Sequence, residues 1–144
     1  MLVANILKAK GTEVVTVRPG DNICDVAHRL VEENVGAVVV STDAGTLHGM
    51  ISERDISCGV ADYGAGIGSL RASDLMTRDV PTCAPDDAIA ETARFMTDRR
   101  IRHLPVQDGA RIVGIISIGD VLKYRLEEAR LETRVLRDIA LVIR

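Results

Sequence analysis

The stretch Gly49-Met50-Ile51-Ser52-Glu53-Arg54-Asp55-Ile56 returns later in the same chain as Gly114-Ile115-Ile116-Ser117-Ile118-Gly119-Asp120-Val121. Upstream of each copy the likeness continues. Val15-Thr16-Val17-Arg18-Pro19-Gly20-Asp21 corresponds to Pro81-Thr82-Cys83-Ala84-Pro85-Asp86-Asp87. In that frame Ile23 matches Ile89, Ala27 matches Ala93, Leu30 matches Met96 and Val40 matches Val106. A unit of this length buries little core by itself, so two in tandem predict pairing about a pseudo-two-fold axis.

The 144 residues, 47% of them hydrophobic, suit one globular domain built from two half-size units. Aromatic content is 2%, confined to Tyr63, Phe95 and Tyr124, so the core is aliphatic and offers no set of rings for bases to stack on. A net charge of −3 and a pI near 5.6 weigh against nucleic acid as a partner. No stretch approaches the roughly 20 apolar residues of a membrane span, and Met1-Leu2-Val3-Ala4-Asn5 lacks a signal-peptide pattern. Three cysteines, Cys24, Cys58 and Cys83, make no CxxC pair and suit a reducing compartment, hence a cytoplasmic location. Cys24 and His28 stand four apart on one predicted helix face, but two ligands do not complete a zinc site, and the second unit has Ala90 and Arg94 there.

Each half reads as β-α-β-β-α. Ile23, Val26, Ala27, Leu30 and Val31 form an amphipathic stripe that starts after Pro19-Gly20-Asp21. A hairpin follows, from Ala37-Val38-Val39-Val40 through Thr42-Asp43-Ala44-Gly45 to a strand ending at Ile51. In the second half Ile89, Thr92, Ala93 and Met96 mark the helix, and Asp108-Gly109 turns the hairpin, because glycine accepts positive φ without a steric penalty. Pro105 is expected at a strand edge or opening. The residues from Cys58 to Ser69, with Gly59, Gly64, Gly66 and Gly68, read as a flexible joint; Gly64-Ala65-Gly66-Ile67-Gly68 follows no strand and has the wrong spacing for a dinucleotide loop. The fold class is therefore α/β of the α+β kind, with repeats over 1–60 and 71–126, a glycine-rich linker over 61–70 and a helical extension over 127–144.

From Val121 to Arg144 runs a long helical pattern with Leu122, Leu126, Ala129, Val135, Leu136, Ile139 and Ile143 apolar. Its intervening charges are Glu127, Glu128, Arg130, Glu132, Arg134 and Arg137. A helix that outruns its own unit with a free apolar stripe most often packs on a second copy, which predicts a homodimer to which this helix contributes.

The two closing segments, each preceded by the same helix and hairpin, resemble the cystathionine-β-synthase (CBS) domain family, whose tandem pair is called a Bateman module. The closing pattern there is glycine, two apolar residues, Ser/Thr, two variable residues and Asp. Arg100-Ile101-Arg102-His103-Leu104-Pro105-Val106 also looks like part of a second CBS repeat, and the whole resembles small bacterial proteins made of a CBS pair and little else. The resemblance covers nearly the whole chain before the tail.

The resemblance implies adenosine-containing ligands in clefts between the repeats, with Asp55 and Asp120 on ribose and Ser52 and Ser117 nearby, beside Ile118. A carboxylate can accept hydrogen bonds from both hydroxyls of a ribose diol. A structural reading stands beside it: Ser52-x-x-Asp55 and Ser117-x-x-Asp120 begin helices, where serine caps the first turn and aspartate complements the dipole. The two roles are compatible, since a helix start also offers N–H groups to an anion. The resemblance puts adenine against Thr77, Val80, Ile101, Arg102 and His103, next to Pro105, in one half, and against Val14, Val35, Gly36 and Ala37 in the other. Val14, Val35, Val80 and Ile101 also read as ordinary core. Phosphates need cations, for which Arg54, Arg102 and His103 are candidates, with Arg99, Arg100 and Lys123 in reserve. Because the halves differ at these positions, two related but unequal sites are expected.

The functional expectation is a non-enzymatic sensor of AMP, ADP, ATP or NAD, requiring no cofactor, that reports occupancy to an unidentified effector by a change of shape. The alternative is a ligand-free interaction module that recruits a partner. Catalysis is disfavoured, because none of His28, His48 and His103 sits in an obvious nucleophile or metal constellation.

Overall fold

The computed structural model describes residues 1–143, so Arg144, the last residue of the predicted tail, lies outside the described residues. The first half contains α1 (Val3–Lys10), β1 (Thr16–Val17), α2 (Ile23–Glu32), β2 (Ala37–Val40), β3 (Gly49–Ser52) and α3 (Glu53–Tyr63). The second contains α4 (Ala72–Leu75), α5 (Ile89–Arg99), β4 (His103–Asp108), β5 (Arg111–Ser117) and α6 (Ile118–Ile143). This is the expected α+β pair of repeats with a C-terminal helix.

All four residues of β2 are buried, which is why Ala37-Val38-Val39-Val40 is apolar without alternation. The strand lies between β1, paired parallel with Thr16 opposite Val39, and β3, paired antiparallel with Val38 opposite Ile51. In the second half β4 and β5 form a hairpin, and the opening strand is reduced to one parallel bridge between Cys83 and Val106. Pro105 sits inside β4, neither at its opening nor on an unpaired edge. Its carbonyl accepts from the Cys83 N–H at 3.0 Å, and the neighbouring strand on that side makes only this one bridge, so the missing proline N–H costs no ladder bond.

Each half has an aliphatic core, and each core is completed by the short helix that leads into the other half. Val3, Ile6 and Leu7 of α1 are buried with Ile89, Met96, Leu104, Val106, Ile116 and Val121 of the second half. Ala72 of α4 is buried with Val17, Ile23, Val26, Leu30, Val38, Val40 and Ile51 of the first. Backbone bonds fix both helices: Val3 and Ala4 donate to the carbonyls of Asp87 and Pro85 at 2.9 and 2.8 Å, and Ile23 and Ala72 donate to those of Leu70 and Asp21 at 3.0 and 2.8 Å. Glycine permits the close approach in each case. A Cβ on Gly114 would strike the Leu7 side chain, and one on Gly49 would come within 2.7 Å of the Met76 sulfur.

The stretch expected to be a flexible joint is ordered helix instead. Helix α3 continues to Tyr63, a 3₁₀ helix follows over Gly64–Ser69, and Asn22 Nδ2 donates to the Gly68 carbonyl at 2.8 Å. Gly59 is buried there because Leu75 and Ile67 pack over it, leaving no room for a side chain. Helix α6 begins against the second core at Val121 and Tyr124, is tied to the start of the chain where Glu128 pairs with the Met1 amino group at 3.1 Å, and then runs free. Leu126, Leu131, Val135, Leu136 and Ile139 are each about half exposed or more. At 1.5 Å per residue its 26 residues extend about 39 Å. Among the described residues no helix is long and apolar enough to cross a membrane.

Candidate functional site

A cavity of about 930 Å³ lies where the halves meet. Five segments wall it: the end of α2 through Gly36, the Ser52–Asp55 turn, the Thr77–Pro81 connection, the Arg100–His103 turn, and Ser117–Gly119 at the start of α6. It brings together most of the residues singled out from sequence: Val35, Gly36, Ser52, Arg54, Asp55, Thr77, Val80, Ile101, Arg102, His103, Ser117 and Ile118.

Val14, Ala37, Pro105 and Asp120 do not line it. Ala37 is buried, and Val14 packs with it, Met50, Val80 and Ile115 in a small apolar cluster, so these two are core. Pro105 is a ladder residue. Asp120 is engaged elsewhere: its Oδ2 accepts from Lys10 Nζ at 2.7 Å and from the Ser117 N–H at 2.8 Å. Burial opposes ionisation of Asp120, but the bonds from Lys10 and Ser117 outweigh it and lower its pKa below the ordinary value.

Asp55 carries the same cap without the lysine. Its Oδ2 accepts from the Ser52 N–H at 2.8 Å and from Ser52 Oγ at 3.1 Å, while the Asp55 N–H donates back to Ser52 Oγ at 3.3 Å. The reciprocal bonds satisfy two donors at the helix start and hold the carboxylate at the cavity wall. The start of α3 is less open to an anion than the motif suggests. The Glu53 N–H already donates to the Gly36 carbonyl at 3.0 Å, as the Ile118 N–H does to that of Arg102 at 2.9 Å.

The electrostatics of the cavity come from Arg54, Arg100 and Arg102 set against Glu53 and Asp55. His103 belongs to neither group. Burial, then the Arg102 charge, lowers its pKa below the ordinary imidazole value, so the neutral ring predominates at pH 7 and the guanidinium groups carry the positive charge. The ring reaches its place only because residue 36 is glycine, since a Cβ there would lie 2.7 Å from Nε2.

Sequence reasoning missed several wall residues, among them Asn34, Met50, Glu53 and Pro81. Asn34 and Arg100 have left-handed backbones, φ 52° and 54°, directly after α2 and α5. They occupy the same place in the repeat frame. Asparagine tolerates that conformation, whereas for arginine it is a strained way to end a helix, and both residues line the cavity. The repeat itself was the available signal.

Among families of known proteins, the CBS domain matches residues 7–60 and 72–127. The chain is 30% identical over 138 residues to the mitochondrial CBS domain-containing protein CBSX3 of Arabidopsis thaliana, covering 90% of this chain and 67% of that one. With the CBS domain-containing protein YhcV of Bacillus subtilis it shares 32% over 110 residues, covering 76% and 77%. Among solved structures it superposes on the CBS-domain containing protein ATU1752 of Agrobacterium tumefaciens with a TM-score of 0.83 and 39% identity, over 87% of this chain and 99% of that one. It also superposes on the CBS domain pair of protein MJ0100, solved in complex with 5′-methylthioadenosine and S-adenosyl-L-methionine, with a TM-score of 0.77 and 26% identity over 89% and 98%.

Proposed function

The chain belongs to the CBS domain family as a tandem pair, and from that premise we propose that it is a non-enzymatic sensor that binds an adenosine-containing nucleotide of the AMP, ATP or NAD type in the cavity walled by Asp55. One observation carries the reading: a capped carboxylate, apolar walls and three guanidinium groups face a single space at the seam of the two halves. The ribose diol donates to Asp55. The adenine lies against Val35, Val80 and Ile101, and Arg54, Arg100 and Arg102 take the phosphates. The complex of MJ0100 with two adenosine derivatives supports this ligand class. Because the cavity touches both halves, a ligand tightens their seam, and that is how occupancy changes the shape a partner meets.

Two further parts belong to the reading. The free apolar face of α6 packs on a second copy, giving a homodimer. The chain is cytoplasmic, in keeping with three unpaired thiols. Burial, then the neighbouring Asp87 charge, pushes the Cys83 thiol up to about 12, so it is no nucleophile at neutral pH.

Thermal unfolding with AMP, ADP, ATP, NAD, S-adenosyl-L-methionine, 5′-methylthioadenosine and GMP tests the proposal. A ligand at about 100 times its Kd adds about 2.7 kcal/mol. Upshifts confined to the adenosine compounds, and lost in Asp55→Asn, are the expected result. The exposed α6 face is compatible also with the second reading, an interaction module with no small ligand, and no shift with any compound would favour that instead.

A further inference from the structure

The two halves end in the same Ser-x-x-Asp turn, yet the two aspartates have different neighbours, and the cause lies in α1. Leu7 rests on Gly114 as Met76 rests on Gly49, and Leu2 bridges Ala88 as Arg71 bridges Asn22. From that common point the second half turns at once. The Thr77 N–H donates to the Met50 carbonyl at 2.9 Å, and Thr77 goes on to line the cavity. The first half instead carries its helix on through Lys8, Ala9 and Lys10 before the chain turns at Gly11. The Ile115 carbonyl, counterpart of the Met50 carbonyl, accepts from Lys10 Nζ at 3.1 Å, and the same ammonium reaches Asp120 Oδ2 at 2.7 Å. Lys10 therefore takes the place of a backbone N–H and also neutralises the carboxylate. Asp55 receives no ion pair among the described residues.

We propose that Lys10 is a built-in latch on Asp120, next to the Ser117–Gly119 wall of the cavity, so that the module binds its first adenosine ligand at Asp55 and admits a second at Asp120 only when Lys10 is displaced. The inference rests on the reading of Asp55 as the ribose acceptor. Asp55 Oδ2 holds only donors of its own Ser52 cap, whereas Asp120 Oδ2 holds the ammonium beside its Ser117 cap, so a ribose diol must compete with a charged donor there. The latch makes the two repeats respond at different concentrations of one ligand, which widens the range over which a single chain reports.

The test counts ligands on the 144-residue chain by native mass spectrometry and calorimetry, with 5′-methylthioadenosine and AMP as probes, for wild type, Asp55→Asn, Lys10→Met and Lys10→Met/Asp120→Asn. Methylthioadenosine has no phosphate, so it separates a latch from a lysine that binds phosphate. Wild type binds the first equivalent of methylthioadenosine tightly and the second about tenfold or more weakly. Lys10→Met strengthens the second equivalent about tenfold and leaves the first unchanged, and the double variant loses that gain. Two equal sites in wild type, or a second equivalent unmoved or weakened in Lys10→Met, overturns the latch. A first equivalent that survives Asp55→Asn overturns the Asp55 assignment and with it the order of filling, even where Lys10→Met still strengthens the second equivalent. No binding of either probe to any variant overturns both.

Discussion

Replacing Ile6 by Ala asks whether the halves are interleaved as the cores indicate. Ile6 precedes the first repeat's strands, yet it is 1% exposed in the second half's core, with Val3 and Leu7 beside it. Truncating a fully buried isoleucine removes its transfer free energy and leaves a cavity, at a cost of about 2–5 kcal/mol. For a chain of this size each kcal/mol lowers Tm by about 3 °C, so the expected drop is about 6–15 °C. Stability totals for such domains are about 5–15 kcal/mol, so the variant remains folded but is measurably weakened. Urea unfolding gives the free energy, and amide hydrogen exchange gives its location. Protection falls first in α5, β4 and β5, although the substitution lies at the opposite end of the sequence. Val31→Ala, at a position 79% exposed, is the control and stays within about 0.5 kcal/mol of wild type. A loss below about 1 kcal/mol for Ile6→Ala, or exchange that rises first in β2 and β3, would refute the interleaving.

Gly36→Ala drives the His103 ring off its seat and lowers nucleotide affinity at the Asp55 cavity about tenfold. Because a side chain yields rather than backbone, it costs only about 1 kcal/mol of stability, measurable by calorimetry and urea unfolding on one sample. His103 also gives a pH dependence. Its folded pKa is depressed by burial, so the unfolded chain takes up a proton as pH falls through about 6.5 while the folded chain resists, and stability declines below that pH and is level above it. His103→Gln removes the decline between pH 7 and 5.5, and an identical slope in the variant would contradict the assignment. Leu136→Glu/Ile139→Glu on α6 converts the proposed homodimer to monomer in sedimentation equilibrium with unfolding of the module unchanged within about 0.5 kcal/mol; a wild type already monomeric at tens of micromolar would contradict the helix's proposed role.

The repeat made the fold legible because its signals are periodic. The stripe of Ile23, Val26 and Leu30 and the apolar run of β2 have lengths that admit one reading, although Val31, read into the same stripe, is exposed, and the Asp108-Gly109 turn forms with Gly109 at φ 63°. Contacts between distant segments were hidden. Helix α1 shows Val3, Ile6 and Leu7 at helical spacing, but nothing local says that this stripe serves the later core. The role of Lys10 depends on four residues of extra helix, Leu7 to Lys10, and on a carboxylate 110 positions away. The glycines from Gly59 to Gly68 suggested looseness by composition, whereas Gly59 is required by the side chains packed over it. The cavity was half legible. Motif positions located its serine, aspartate and arginine walls, but the repeat alignment treats the two aspartates as equivalent, and only the fold separates Asp55 at the cavity from Asp120 under Lys10.

A crystal structure of the protein soaked or grown with AMP measures the central claim most directly. The account predicts nucleotide density at the seam of the two halves, with both ribose hydroxyls within about 3 Å of the Asp55 carboxylate and the phosphate beside Arg54, Arg100 or Arg102. Density for AMP at a place that Asp55 does not touch, or a cavity unchanged at saturating AMP while another adenosine compound also fails to enter it, would contradict the account.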